Sequence, residues 1–260
     1  MSRIDTAFAQ ARDRNAAAFV PYLTAGFPDG ESFLRHAETL LSHADLLEVG
    51  LPFSDPLGDG PTIQRSSERA LAAGTRTRDV FALIASLRER TDKPLVLMTY
   101  YNPIYCYAIG GQEGFVRDLA AAGADGLILP DLPPDEADEL VPLARKHRLD
   151  TVFLAAPTST SERLRMVSTT SRGFVYAVSV TGVTGARESL PSELPELVER
   201  IRSVGSLPVA VGFGVADAAS ARKVATVADG VVVGSALIRA IEEEADVGAL
   251  AAELSAACRR

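Results

Sequence analysis

Eight short runs rich in Val, Ile, Leu and Phe recur along the 260 residues, each followed by a longer stretch with helical spacing. The runs cover residues 19–25, 46–51, 95–100, 126–129, 151–155, 174–180, 208–212 and 230–233. They are almost continuously apolar instead of alternating, as expected of parallel strands buried on both faces. Between them, Phe33, Ala37, Leu40 and Leu41 share one helical face. So do Val80, Ile84 and Leu87, then Phe115, Leu119 and Ala122, then Ala137, Leu140, Val141 and Ala144. Eight strand-then-helix units predict an α/β chain closed as a (β/α)8 barrel. An open doubly wound sheet has the same alternation and is the alternative. No Gly/Ser linker or composition break divides residues 1–260, so they read as one domain.

Three further elements are expected around this frame. Residues 1–15 lack an apolar signal core and read as an amphipathic helix with Ile4, Phe8 and Ala11 on one face. Residues 52–90 are too many for one loop and one helix, so a functional loop and an extra helix are expected after the second strand. A short extra helix, SALIRAIEE, is expected after the eighth.

The 47% hydrophobic content suffices for a core and excludes a disordered chain. A net charge of −8 does not suit a generic nucleic-acid binder, which needs a basic surface. No apolar stretch is long enough to span a bilayer. Cys106 and Cys258 form neither a CxxC pair nor a metal-ligand spacing, which makes a reducing cytoplasm the expected location.

Glu48 interrupts an apolar strand, LLEVGLP, and shares its parity with Leu46 and Gly50. If that side faces the barrel interior, the carboxyl must find a partner or hold a proton. No strand candidate contains Lys or Arg to pair with it. Two readings stand: a neutral Glu hydrogen-bonded to backbone or to a tyrosine such as Tyr100 or Tyr176, or a desolvated acid that holds and returns a proton near neutral pH. The following loop, PFSDPLGDGP, adds Asp55 and Asp59. These either cap the helix beginning near Pro61 or, for Asp59, supply an anionic group beside Glu48.

Glycine-bearing segments end the last three strands: Gly182-Val183-Thr184-Gly185, Gly212-Phe213-Gly214 and Gly234-Ser235. Loops after strands seven and eight of such barrels often bind phosphate through backbone N–H groups and the N-terminus of a short helix. With Arg187 the nearest cation, backbone donors would dominate; the same glycines could serve turns alone. The chain has three lysines, Lys93, Lys146 and Lys223, none at the catalytic ends of the strands. His36, His43 and His147 fall on helices or their ends. Schiff-base chemistry and a metal site are therefore disfavoured, and no P-loop, dinucleotide fingerprint or nucleophile elbow is present. What remains is carboxylate acid–base chemistry on a small phosphorylated substrate.

The stretch LLEVGLPFSDPLGDGPTIQ resembles the signature of the tryptophan synthase α chain family. The resemblance continues through FVPYLTAGFPD, TYYNPIY, ADGLILPDLP, YAVSVTGVTGAR, VGFGV and VVVGSALI, in the family's order over nearly the whole chain. It implies a TIM barrel that cleaves indole-3-glycerol phosphate to indole and glyceraldehyde 3-phosphate. By matching position, Glu48 and Asp59 would be catalytic. Tyr22, Ile63, Tyr176, Thr184, Gly185, Phe213, Gly214, Gly234 and Ser235 would contact substrate, Thr184 from a mobile loop that closes toward Asp59. Phe213, Leu127, Leu129 and Ile63 would wall the indole, unless they only pack the core. The family implies no metal and no cofactor in this chain. It implies a β-chain partner that carries pyridoxal phosphate in an α2β2 tetramer, contacted through Asp55, Pro56 and the YNPIY segment. Tyr22 stands where many members have Phe, and Gly58 where Ala is frequent. A free-standing indole lyase and a non-catalytic phosphosugar-binding activator are the rival readings.

Overall fold

Each predicted apolar run becomes a strand, and the eight strands close on themselves. The computed structural model describes residues 1–178, 193–212 and 214–260. The strands are β1 (Ala18–Thr24), β2 (Leu47–Gly50), β3 (Leu95–Met98), β4 (Gly126–Leu129), β5 (Asp150–Ala155), β6 (Val175–Val178), β7 (Val209–Gly212) and β8 (Gly230–Val233). All neighbours pair in parallel, and β1 pairs with both β2 and β8. That closure decides against the open sheet.

The helices are α1 (Arg3–Asp13), α2 (Gly30–Leu41), α3 (Pro61–Ala72), α4 (Thr77–Arg88), α5 (Tyr101–Tyr105), α6 (Gly111–Ala121), α7 (Leu140–Lys146), α8 (Ser161–Thr170), α9 (Leu194–Arg202), α10 (Ala218–Ala225), α11 (Ser235–Glu242) and α12 (Val247–Ala257). The expected extra helices after β2 and β8 are both present, as α3 beside α4 and α11 beside α12. One helix was not anticipated. The third strand stops at Met98, because Tyr100 turns to become the N-cap of α5 and Asp131 accepts the Tyr101 N–H at 2.9 and 3.1 Å. Five residues are too few to show a period.

Strand alternation sorts side chains between two layers. One set, including Val20, Leu46, Val96, Ile128, Val152, Phe174, Ala210 and Val232, fills the barrel. The other, including Phe19, Leu47, Leu97 and Phe153, packs against the helices. Helix α1 stops the amino-terminal mouth. Ser2 caps it reciprocally with Asp5, and Ile4, Phe8 and Ala11 are buried, Phe8 lying 5.3 Å from the Phe174 ring.

A repeated device closes the same end. Ala-Asp dipeptides precede β2, β4 and β8, at Asp45, Asp125 and Asp229. Each aspartate N–H donates to the carbonyl of the first or second residue of the preceding strand: Phe19, Leu95 or Val209. Each Oδ2 accepts that same residue's N–H, at 2.9 or 3.0 Å. Arginine supplies the counter-charge in every case: Arg14 to Asp45, Arg3 and Arg88 to Asp125, Arg202 and Arg260 to Asp229. These staples join neighbouring strands where the ladder would otherwise fray.

Candidate active site

The carboxyl-terminal mouth is where a barrel of this kind places its chemistry, and Glu48 lies just below it. The side chain shares a level with Tyr22 on β1 and Val96 on β3, and is 1% exposed. Its Oε2 is buried without a hydrogen-bond partner among the described residues. Among the described residues, a structural glutamic acid with both oxygens satisfied is thus not what the strand holds. Burial first, and the charge of Asp59 second, push its pKa up from 4.5 to about 8.

Asp59 arrives from the β2–α3 loop. It does not cap α3, and neither does Asp55: the N-cap is Gly60, without a side-chain cap bond. The Asp59 side chain instead turns inward and is 6% exposed. Its N–H donates to the Pro56 carbonyl at 3.0 Å, and Gln64 Nε2 donates to its carbonyl at 2.9 Å. The Tyr100 hydroxyl donates to Oδ2 at 3.1 Å. Burial pushes the Asp59 pKa up to about 6, and the Tyr100 hydrogen bond opposes that rise. The two carboxyls therefore separate. Near neutral pH Glu48 keeps its proton while Asp59 is ionised, a division of environment typical of an acid paired with an electrostatic partner.

Tyrosines complete the described lining. Tyr22 and Tyr176 are 6% and 5% exposed, and burial together with the charges of Asp59 and Glu48 keeps both phenols well above their ordinary range. Both rings lie over glycine. A Cβ at Gly50 would meet the Tyr22 hydroxyl at 2.1 Å, and one at Gly212 would meet the Tyr176 hydroxyl at 2.0 Å. The glycines at the ends of β2 and β7 thus make the space these phenols occupy. Tyr22 also contacts Thr24 (3.2 Å), which contacts Ser66 (2.6 Å) on α3. This buried chain of hydroxyls fixes the first turns of α3, and with them Ile63, 5% exposed, against β1.

Around the mouth, Gly234 is the N-cap of α11 and Ser235 its first residue, while Gly214 follows β7 with φ of 95°. Thr184, Gly185, Arg187 and Phe213 lie outside the described residues. Two expected wall residues are corrected. Leu127 and Leu129 face the helix layer, and Ile128 between them faces the interior, because Gly126 and Ile128 carry the inward parity of β4. Asp55 is exposed and Pro56 half-buried at the loop tip. Tyr100, expected as a candidate hydrogen-bond partner of Glu48, donates instead to Asp59.

A cavity of about 1070 Å³ at the opposite end, beneath α1, is lined by Arg14, Arg90 and Lys93. Those charges are met within the protein: Arg14 by Asp45, Arg90 by Glu38, and Lys93 by the Leu41 and Ala44 carbonyls. Among the described residues no group of three or more His, Cys, Asp or Glu could hold a metal ion, and no helix is long and apolar enough to cross a membrane.

Residues 8–259 match the family model described as tryptophan synthase alpha chain. The chain belongs to the tryptophan synthase alpha chain family. It is 56% identical to the alpha chain of Deinococcus radiodurans, over 100% of this chain and 96% of that one. The Mycobacterium tuberculosis alpha chain is 46% identical over 99% and 95%. Among solved structures, tryptophan synthase from M. tuberculosis superimposes with a TM-score of 0.92 at 46% identity, covering 100% and 99% of the two chains. The reaction of the family, and of this chain, is the carbon–carbon lyase step that cleaves indole-3-glycerol phosphate to indole and glyceraldehyde 3-phosphate. Family membership implies a complex with a β-chain partner.

Proposed function

We propose that Glu48 and Asp59 carry the cleavage; the observation that supports it is two buried carboxyls in different settings, Glu48 with its Oε2 unpartnered among the described residues and Asp59 turned inward and held by the Tyr100 hydroxyl. The Glu48 carboxyl gives its proton to C3 of the indole ring, which leaves a cationic indolenine-like species able to accept electrons. Asp59 accepts a hydrogen bond from the ring N–H and stabilises the positive charge. The Glu48 carboxylate then takes the proton of the glycerol hydroxyl next to the scissile bond. The C3–C bond breaks, its electron pair returns to the ring, and indole and an aldehyde form. Glu48 thus ends protonated, as it began.

In this reading Tyr22, Ile63, Tyr176 and Phe213 hold the indole. Backbone amides of Gly185, Gly214, Gly234 and Ser235 hold the phosphate at the positive end of α11. Thr184 closes toward Asp59. Anchoring the remote phosphate orients the scissile bond.

The chain acts as one barrel domain in the cytoplasm, bound to a pyridoxal-phosphate-carrying β chain as an α2β2 tetramer. Three large apolar side chains favour a partner over the free-standing lyase. Leu57, in the β2–α3 loop, is 86% exposed; Tyr105 on α5 and Ile109 just beyond it are 63% and 60%. With Asp55 and Pro56 they offer the partner surface at the mouth. Indole release by the wild-type chain, measured with and without β chain, tests the whole. Added β chain is expected to raise the rate, and Glu48→Gln is expected to bind a substrate analogue yet lose turnover. Equal rates with and without a folded β chain would remove the partner coupling. Near-normal turnover by Glu48→Gln would remove the acid–base assignment.

A further inference from the structure

Tyr100, the N-cap of α5 just beyond β3, reaches the β2–α3 loop with its phenol. Its oxygen accepts the Gly58 N–H at 3.0 Å and its proton goes to Asp59 Oδ2 at 3.1 Å. The direction of both bonds is fixed by chemistry. An amide N–H can only donate, so the hydroxyl must accept there, which leaves its single proton for the carboxylate. The ring cannot swing away: it is 6% exposed and packs 5.2 Å from the Phe53 ring at the start of the same loop. A Cβ at Gly58 would come within 3.3 Å of the phenol oxygen. On the other side, Tyr101 N–H is held by Asp131 at the end of β4. The phenol is therefore carried by the barrel wall, while Asp59 is carried by a loop whose tip residue, Leu57, is almost fully exposed.

We propose that Tyr100 is a positioning residue for the cleavage: its hydroxyl latches the β2–α3 loop to the β3–α5 junction and holds the Asp59 carboxylate aimed into the barrel. This rests on the proposed role of Asp59 as the partner of the ring N–H. The groups around Asp59 come from three strands, the β3–α5 junction and one helix. Glu48 on β2, Tyr22 on β1 and Tyr176 on β6 each feel its charge, which pushes their pKa values up. Gln64 on α3 binds only its backbone carbonyl. Tyr100, between β3 and α5, is the one among these that donates a hydrogen bond to the carboxylate, and so the one that favours its charged form. Asp131 acts on Tyr100 from β4.

Tyr100→Phe removes the oxygen alone and leaves the ring against Phe53. Release of glyceraldehyde 3-phosphate by the full chain in complex with the β chain is to be measured from pH 5 to 9. Four proteins are compared: wild type, Tyr100→Phe, Asp59→Asn and the double variant. A hydrogen bond to a charged group is worth roughly ten- to hundredfold, so kcat of Tyr100→Phe is expected to fall by that factor while KM changes less than about threefold. Without the donor, Asp59 ionises less readily, so the acid limb of kcat, set near pH 6, is expected to move up by about one pH unit. In the Asp59→Asn background the same substitution is expected to cost less than about threefold, because the group it acts through is gone. An unmoved acid limb, or an equal loss in both backgrounds, would overturn the latch, since a merely structural phenol would give that result. Full turnover by Asp59→Asn alone would overturn the Asp59 assignment, and the latch with it.

Discussion

Replacing Glu48 by Gln should change stability in a way that depends on pH. Burial, aided by Asp59, holds the Glu48 carboxyl neutral up to about pH 8, whereas in the unfolded chain it ionises near 4.5. Between those values the folded protein binds one proton more than the unfolded chain, so stability falls as pH rises across this window. Each pKa unit is worth about 1.4 kcal/mol, which puts the cost of keeping Glu48 near about 3 kcal/mol at pH 7, more than 4 at pH 8 and under about 1 at pH 5. Glutamine has the same shape and no proton to lose, but its amide N–H would stay unpaired where Oε2 is now, at a cost of about 1 kcal/mol. The variant is therefore expected to be about 2 kcal/mol more stable than wild type at pH 7, more so at pH 8, and equal or slightly less stable at pH 5. Asp59, also raised, is present in both proteins, so its titration largely cancels in the difference. Urea denaturation of both proteins at the three pH values measures this, and in a chain of this size the gain at pH 7 corresponds to a melting temperature about 4–8 °C higher. A difference that stays constant from pH 5 to 8 would refute the buried, protonated Glu48. Activity is expected to fall by ~10²–10⁴ in the same variant, so the residue would trade stability for turnover.

Three further outcomes follow from particular contacts. Gly50→Ala puts a methyl 2.1 Å from the Tyr22 hydroxyl, which must move; steady-state kinetics should show KM raised severalfold, and denaturation a loss of about 1–3 kcal/mol from overpacking. Unchanged KM would argue that Tyr22 does not line the substrate. Asp125→Ala strands Arg88, 17% exposed, and removes the staple to Leu95; a loss of about 3 kcal/mol is expected by denaturation, with turnover per folded molecule unchanged because the site is at the other end of the barrel. Leu57→Asp should weaken β-chain association in titration calorimetry while leaving the β-independent rate close to wild type.

The barrel was readable residue by residue, and the reason is local. A parallel strand buried on both faces leaves a continuous apolar run, and β4 and β8 were bounded to the residue. The same parity argument put Glu48 on one side with Leu46 and Gly50, and the fold shows that side to be the interior. It would also have turned Leu127 and Leu129 outward; placing them on the indole wall set that argument aside, and Ile128 is the inward residue. The short helix α5 left no periodic signal. The Ala-Asp staples left one, three dipeptides ahead of β2, β4 and β8, which gains meaning only when each aspartate is seen against the preceding strand.

Residue types, their order and strand parity were enough to give eight parallel strands with an isolated acid on one of them, since these properties act over a few neighbouring positions; that the sheet closes, with the acid inside, was decided by the pairing of β1 with β8. They could not say how that acid is ionised. The pKa split between Glu48 and Asp59 arises from burial, from the charge of Asp59 beside Glu48 and from the Tyr100 hydrogen bond to Asp59, groups brought together only when the chain folds into the barrel. Tyr100 and Asp59 are 41 residues apart in the chain and 3.1 Å apart in space. Local sequence pattern sets periodicity, whereas desolvation and Coulomb interaction depend on through-space distance, and barrel closure is what turns one into the other.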